Sequence, residues 1–168
     1  REVDILPEDN IGTLYDRLMT VGAELVTETV DKLASGSYET IEQMHIDEST
    51  LRPAPKIFKE DGRIEWRDSI TAIHNKVRGL SPYPAAWTPI FKGGEECGSA
   101  TIFTTHIEPQ SISVAPGTLR SDGRSYLAVA ASDGWVYIDE LQLAGKRRMA
   151  IKELLLGWRD YAEVSFSL

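Results

Sequence analysis

The sequence predicts a mainly β fold with flanking helices, in which a small closed or nearly closed barrel follows a long amphipathic helix. Five short runs rich in branched and aromatic residues are separated by turn sequences, as in antiparallel strands. Ahead of them, apolar residues recur at spacings of three and four, which is typical of a helix with one buried side. Because the turns are of the hairpin type, a barrel is favoured over a parallel sheet.

The first segment, residues 1–36, is predicted as a strand followed by that helix. Residues 1–6 alternate in polarity like an edge strand, and Asp9 or Asn10 is a suitable N-cap for the helix. The apolar stripe continues to Gly36, where the glycine is expected to end the helix. Such a stripe requires a partner surface.

Residues 37–61 are predicted as a linker, because they show no sustained period and because Pro53 and Pro55 impose extended backbone. The third segment, residues 62–168, is predicted to hold the barrel. It is expected to open with a short strand at residues 63–66.

The elements of the third segment follow from caps, turns and β-rich runs. Ser69 is suited to cap a helix that ends at Gly79. The pairs Gly93-Gly94, Asp122-Gly123 and Asp133-Gly134 are expected to supply positive φ angles in tight turns. The predicted strands are residues 86–91, 100–107, 117–119, 127–131 and 135–143, and a last helix is predicted over residues 149–156.

Composition excludes several classes of protein. Of the 168 residues, 42% are hydrophobic, which is enough for a sizeable core. No run approaches the roughly 18 apolar residues of a membrane span, and the first residues lack the basic and apolar regions of a secretion signal. The single Cys97 excludes an internal disulfide and cannot alone form a zinc site, so a reducing, cytoplasmic setting is expected.

The net charge of −8 argues against indiscriminate nucleic-acid binding, since phosphates are bound by Lys and Arg. Residues 1–36 carry three basic and eight acidic side chains, whereas residues 37–168 carry 15 and 18. The acidity is therefore concentrated at the front, and a local basic face remains compatible with the composition.

No catalytic motif is present in the sequence. His45, His74 and His106 are not at metal-ligand spacing from one another or from a cysteine, so a structural or incidental role is expected. Adjacent carboxylates such as Asp139-Glu140 are typical of solvated loops. We therefore predict no catalytic residue and no metal site in this chain.

Two groups of basic residues have two interpretations. They either solvate a surface that also carries acids, or line one face that contacts a phosphate backbone. A small β-barrel favours the second, since five-stranded oligonucleotide-binding barrels use one face and its loops for nucleic acid. The first group is Lys56, Lys59, Arg63, Lys76 and Arg78, and the second is Lys146, Arg147, Arg148 and Lys152.

Four sequence stretches carry family information: EDNIGTLYDRL, DEST with APKIFKEDGRIEW, IHNKVRGLSPYP, and LQLAGKRRMAIKELLLG. Each alone is weak, but the ordered set, with its spacing, covers most of the chain. Together they resemble the carboxy-terminal portion of methionyl-tRNA formyltransferases.

The resemblance implies an intact enzyme that transfers a formyl group from 10-formyltetrahydrofolate to the amino group of methionine on initiator tRNA. In that family the folate and the catalytic asparagine, histidine and aspartate belong to an upstream Rossmann-like domain. Residues 1–36 would be the last strand and helix of that domain, and residues 62–168 a barrel similar to the oligonucleotide-binding fold. The front of the protein would then be missing, and this piece alone is expected to be inactive and to bind no cofactor.

The family uses the linker and barrel to hold tRNA, so the expected partner is initiator methionyl-tRNA and no membrane is expected. An alternative is a structural or dimerising appendage of another folate-dependent formyltransferase. The tail DYAEVSFSL matches no family pattern, and the sequence does not indicate an oligomeric state. The resemblance carries a tRNA-binding role onto Lys56, Lys59, Arg63, Arg78, Lys146 and Arg147, to which charge proximity adds Arg148 and Lys152.

Overall fold

The computed structural model describes residues 1–42 and 47–167, and it confirms a mainly β domain behind one long helix. The helices are α1 (Ile11–Ser35), α2 (Ile70–Leu80) and α3 (Ile151–Gly157). The strands are β1 (Ala86–Lys92), β2 (Glu95–Pro109), β3 (Leu119–Ser121), β4 (Leu127–Ala130), β5 (Gly134–Leu143), β6 (Met149–Ala150) and β7 (Val164–Ser165). Short 3-10 turns lie at Glu48–Thr50, Glu60–Gly62 and Tyr161–Glu163.

The barrel is built around β2, which is 15 residues long and pairs with β1 along one edge and with β5 along the other. The sheet order is β3-β4-β5-β2-β1-β7, and β6 pairs with β5 off this path. An antiparallel bridge between Thr118 and Ser165 joins the two ends of the path. Because an open edge leaves backbone N–H and C=O groups unpaired, this bridge stabilises a nearly closed antiparallel barrel.

The carboxy-terminal tail, which matched no sequence pattern, supplies the closing strand β7. The Phe166 side chain is buried, and its amide donates to the Gly117 carbonyl at 2.9 Å. Gly117 has a φ of 85°, and a Cβ there would come within 2.4 Å of the Ser167 Cβ. This position therefore requires glycine for its backbone conformation and for close approach of the tail.

A buried polar network links the start of the domain to the closing strand. The Trp66 indole N–H donates to the Thr88 hydroxyl at 2.9 Å, and that hydroxyl donates to the Phe166 carbonyl at 3.2 Å. All three residues are buried, and the Trp66 and Phe166 rings lie 5.8 Å apart. The polar atoms of this part of the core are therefore paired rather than left unsatisfied.

Helix α2 packs on the barrel with one apolar face. It begins at Ser69, whose hydroxyl accepts the Ala72 amide as predicted, and it ends at Leu80, one residue beyond Gly79. Its buried residues are Ile70, Ile73, Val77 and Leu80, and its main contacts are with β2. The spacing of these residues places them on one side of the helix.

Helix α1 has no such covered face. Of the two candidate caps Asn10 is the one observed, and Gly36 ends the helix at a φ of 70° as predicted. No residue of α1 is buried; near its start, the Gly12 amide donates to the Ser81 carbonyl at 3.2 Å. In the described part of the chain, no helix combines the length and apolarity needed to cross a membrane. The exposed large apolar residues of α1 include Leu18, Met19, Val26, Val30 and Leu33.

Residues 1–6, predicted as a strand, form none in the structure. A strand requires a hydrogen-bonding neighbour, and this segment is instead held by side chains. The Asp9 carboxylate accepts the Leu6 amide at 2.7 Å, and the Arg17 guanidinium donates to the Asp4 carbonyl at 2.8 Å.

Three local predictions in the barrel domain also need correction. The strand at residues 63–66 is reduced to one parallel bridge between Arg63 and Trp87, because the chain turns again at once, where the Asp68 amide donates to the Glu65 carbonyl at 3.0 Å. Gly134 does not adopt positive φ; it opens β5, where a Cβ would come within 2.7 Å of the Glu108 carbonyl oxygen. The last helix begins at Ile151, because the two residues before it pair with β5.

Replacing Phe166 by alanine should destabilise the barrel by about 3–5 kcal/mol, since removal of this buried aromatic side chain leaves a cavity where the tail closes the barrel. Urea unfolding followed by circular dichroism measures this change. The matched control is Leu156→Ala on α3, where the side chain is 75% exposed, with an expected change within about 0.5 kcal/mol. Equal midpoints for the two variants would contradict the role of the tail in closure.

Candidate nucleic-acid interface

A row of three half-buried side chains crosses the outside of the barrel. Trp87 of β1 lies opposite Thr101 of β2, which lies opposite Gln142 of β5. Their neighbours Ala86 and Leu141 are buried, so the alternation of the strands directs the row outward. With strands about 4.8 Å apart, the row spans about 10 Å.

The end of the linker is fixed against the β1 side of this row. The Trp87 indole N–H donates to the Lys59 carbonyl at 2.8 Å, and the Lys59 ammonium lies 5.3 Å from the centre of the same ring. The Ile64 amide donates to the Trp87 carbonyl at 2.8 Å. Gly62 is buried, and a Cβ there would come within 3.0 Å of the Ala85 carbonyl oxygen. The position of Lys59 is therefore set by β1.

Three further cations belong to the neighbouring stretch of the chain and to α2, and together with Lys59 they are called the linker cluster. The Lys76 ammonium donates to the Arg63 carbonyl at 2.7 Å, which brings α2 to the linker. Lys56 lies 5.5 Å from the Phe58 ring centre, and Arg63 lies 3.7 Å from Glu65 in an exposed pair. An exposed ion pair is weak, so Arg63 stays available to a stronger anion.

The second basic group lies at the β5 side of the row, in the turn between β5 and β6 and the start of α3. The Lys146 amide donates to the Leu143 carbonyl at 2.9 Å, and Gly145 has a φ of 74°. The Gln142 amide side chain donates to the Lys146 carbonyl at 2.8 Å. The row residue Gln142 thus holds the basic turn, just as Trp87 holds the linker.

This loop cluster consists of Lys146, Arg147, Arg148 and Lys152. The Arg148 guanidinium lies 4.0 Å from the Phe103 ring centre and also pairs with Glu140. Arg147 pairs with Glu153 at 3.2 Å but is 77% exposed. Lys152 is exposed on α3. The Phe103 ring orients the Arg148 guanidinium, while Glu140 offsets part of its charge.

Arg78 lies elsewhere, where α2 meets the start of α1. Its guanidinium donates to the Asp9 carbonyl at 3.1 Å and to the Asn75 side chain at 2.7 Å. The Asp9 carboxylate in turn accepts from Arg17 at 2.6 Å, and this contact, with the Leu6 amide, holds the pKa of Asp9 well below its usual range. The structure thus engages Arg78 in anchoring residues 1–10.

The family profile described as "Formyl transferase, C-terminal domain" matches residues 56–159, which is more than half of the chain. The chain belongs to this formyl transferase C-terminal domain family. The match runs from the linker cluster through the loop cluster, so both sides of the outer row lie within the family domain.

Curated relatives confirm the resemblance to methionyl-tRNA formyltransferases. The protein of that name from Parabacteroides distasonis is 41% identical over 165 residues, which is 97% of this chain and 51% of the relative. The protein of the same name from Bacteroides fragilis is 41% identical over 157 residues, with 93% and 48% covered. The chain spans about half the length of the curated relatives it matches.

Solved structures of HypX from Aquifex aeolicus share the fold. One variant superimposes with a TM-score of 0.62 and 18% identity, over 90% of this chain and 27% of HypX. A complex of HypX with tetrahydrofolic acid gives a TM-score of 0.56 and 20% identity, over 82% of this chain and 22% of HypX. At these identities the likeness shows the fold of the family domain alone.

The two histidines that the structure describes, His74 and His106, lie apart from the outer row. His74 Nδ1 is 2.9 Å from the Thr105 hydroxyl, and burial lowers the pKa of His74. His106 Nδ1 is 2.9 Å from the Asp139 carboxylate, and its ring stacks on Tyr137 at 4.8 Å. His45 lies outside the described residues. Within residues 1–42 and 47–167, no three His, Cys, Asp or Glu side chains are grouped so as to hold a metal ion.

Two residues of the candidate interface, Trp87 and Phe103, were missed by reasoning from charge alone. Both occupy outward positions of strands, where an aromatic side chain can support a cation from another element. The alternation of polar and apolar residues in β1 and β2 could have shown that these aromatic side chains point outward. It could not have shown which cation lies on each ring.

Replacing Arg78 by alanine should loosen the start of α1 from α2. The amides of Asp9 and Gly12, which donate to the Leu6 and Ser81 carbonyls, are expected to exchange with solvent hydrogen faster, while the urea midpoint of the barrel changes little. Hydrogen exchange measured by mass spectrometry or NMR checks this. The control is Arg67→Ala, an exposed arginine just before α2. Equal exchange in both variants would contradict the anchoring role.

Proposed function

We propose that this chain is the carboxy-terminal part of a methionyl-tRNA formyltransferase and that it positions the initiator tRNA for formylation. The observation that carries the proposal is the placement of two basic clusters on either side of one outer row of the barrel. The names of the curated relatives and the family match support the choice of enzyme.

Phosphate binding is the chemistry that this arrangement performs best. Binding to a phosphate backbone depends on Lys and Arg displacing counterions, and cations held at fixed spacing do this with less loss of side-chain entropy. The linker cluster is fixed by Trp87, and the loop cluster by Gln142 and Phe103. The nearby acids Glu60, Asp61 and Glu65 would limit binding of unrelated polyanions.

In the proposed intact enzyme the amino group of methionine attacks the formyl carbon of 10-formyltetrahydrofolate, and the bond from that carbon to N10 then breaks so that tetrahydrofolate leaves. Upstream residues would remove the amine proton and stabilise the oxyanion, and they would bind the folate. The contribution of this chain is orientation, which lowers the entropy cost of bringing two substrates together. The pairing of His74 with Thr105 and of His106 with Asp139 favours structural roles for these rings.

Residues 1–36 are proposed to belong to the catalytic half of that enzyme. Helix α1 carries an apolar stripe with no covering surface in the described chain, and a stripe of this kind normally packs on a core. Arg78 would fix the orientation of this helix relative to the barrel.

A second candidate is a structural or dimerising domain of another folate-dependent formyltransferase. The shared fold with HypX, a protein solved in complex with tetrahydrofolic acid, favours keeping it as an alternative. Binding of tRNA separates the two, since a purely structural domain needs no affinity for phosphates.

Replacing Lys59 and Arg147 together by alanine should weaken binding of initiator tRNA. The plot of log affinity against log salt concentration should become less steep, with its negative slope reduced in size by about two. Both side chains are exposed, so the melting temperature should change little. Filter binding over a series of salt concentrations measures the slope. The control is Lys32→Ala with Arg124→Ala, which removes the same charge away from the row. Absence of tRNA binding at low salt would overturn the proposal.

The 168-residue chain alone should form no formylmethionyl-tRNA when mixed with charged initiator tRNA and 10-formyltetrahydrofolate. The reason is that the proposed proton acceptor and oxyanion donors lie in the upstream half. An assay of formylated product by acid gel measures this. Turnover above the uncatalysed rate would show that the barrel domain carries chemistry of its own.

A further inference from the structure

A cavity of about 240 Å³ lies beside the loop cluster. Its walls come from the β1–β2 hairpin, the β5–β6 turn and the segment that follows α3. Ile90, Leu143 and Trp158 line it with apolar surface, and Lys146 and Asp160 belong to its polar lining. Sites for drug-sized ligands occupy roughly 300–1,000 Å³, so this one suits a single ring system.

The walls of the cavity are fixed on each side. The Ala144 amide donates to the Ser99 carbonyl at 3.0 Å, which joins the β5–β6 turn to β2. Lys92 of β1 pairs with Asp160 at 3.5 Å and with Glu163 at 2.7 Å, which holds the segment after α3. The cavity is therefore preorganised by contacts among three elements.

Lys146 belongs both to this cavity and to the loop cluster. In the described chain its ammonium group has no ion pair, whereas Arg147 and Arg148 each pair with a glutamate. If Lys146 binds a phosphate of the RNA, the nucleotide that carries this phosphate lies at the opening of the cavity. Apolar walls and an indole ring are the surfaces on which unpaired bases stack.

We propose that this cavity accepts one unpaired base of the bound RNA. The inference rests on the proposed function, because the basic clusters must first hold the RNA. The ring of the base lies against Trp158, its phosphate faces Lys146, and Asp160 accepts a hydrogen bond from an exocyclic amino group. Since a carboxylate only accepts, it binds N–H groups of the base, and a base with an exocyclic amino group offers donors that uracil, with its ring N–H alone, lacks.

Cys97 makes the proposal directly testable. It is the single cysteine of the chain, it is exposed, and it lines the cavity. With initiator tRNA at ten times its Kd, about one tenth of the protein is free, so the rate of Cys97 labelling by a thiol reagent should fall about tenfold. A blunt RNA duplex without unpaired bases should bind through the clusters and leave the labelling rate unchanged.

Filling the cavity provides a second, independent measurement. A Cβ added at Gly98, which lines the cavity, meets no heavy atom within 4 Å, and Gly98 lies in β2 where valine is well accommodated. Gly98→Val should weaken tRNA binding about tenfold, the effect of losing one stacked base. The salt dependence should stay the same, because no phosphate contact is removed. Thr104→Val, at an exposed position of β2, is the control and should bind as the parent does.

The possible outcomes separate this inference from the proposed function. If tRNA binds with the expected salt dependence but Cys97 is labelled at the unprotected rate, the base site is wrong and the tRNA-positioning role stands. Protection of Cys97 by the blunt duplex to the same degree would also overturn the base site. If tRNA does not bind at low salt, the proposed function fails and the base site fails with it.

Discussion

Closure of the barrel rests on the contacts of its tail, and the buried hydroxyl of Thr88 is the polar group that joins that tail to β1. It accepts the Trp66 indole N–H and donates to the Phe166 carbonyl, so one side chain of β1 ties the entry of the domain to its last strand. Leaving such a buried group unpaired costs roughly 1–3 kcal/mol. The positions of Trp66 and Phe166 relative to β1 are therefore restricted to those that keep both hydrogen bonds. Once β7 is joined to β1, strand β1 has a paired strand on each side, and the outer row that begins at Trp87 is held in register.

The same strand explains how an acidic chain holds cations at fixed positions on its surface. Trp87 projects outward beside Thr88, accepts the cation of Lys59 on its ring and donates to the Lys59 carbonyl. Phe103 on β2 supports Arg148 in the same way. Local cation placement, rather than net charge, determines which surface a polyanion meets. Interleaved acids reduce the long-range field, since Arg63, Arg147 and Arg148 each pair with a glutamate.

Much of the fold was readable from the sequence because its signals are local. The cap at Ser69, the terminator at Gly36 and the positive φ of Gly93 and Gly123 each depend on a few neighbouring residues. Local sequence patterns gave wrong predictions where the conformation of a residue is determined by a contact with a residue far away in the chain. At Gly134 a side chain would collide with the carbonyl oxygen of Glu108, which is 26 positions away in the chain. The residues next to Gly134 give no sign of this steric constraint.

The sequence by itself determined the fold class, the main elements, the family resemblance and the two groups of basic residues, because periodicity, turn chemistry and motif order are properties of short stretches. Only the tertiary structure decided how these parts combine. It joined the tail to the first strands of the barrel, placed the linker cluster and the loop cluster on either side of one row, and assigned Arg78 to the junction with α1 instead. The physical reason is that strand register and ring stacking across strands depend on pairs far apart in the chain.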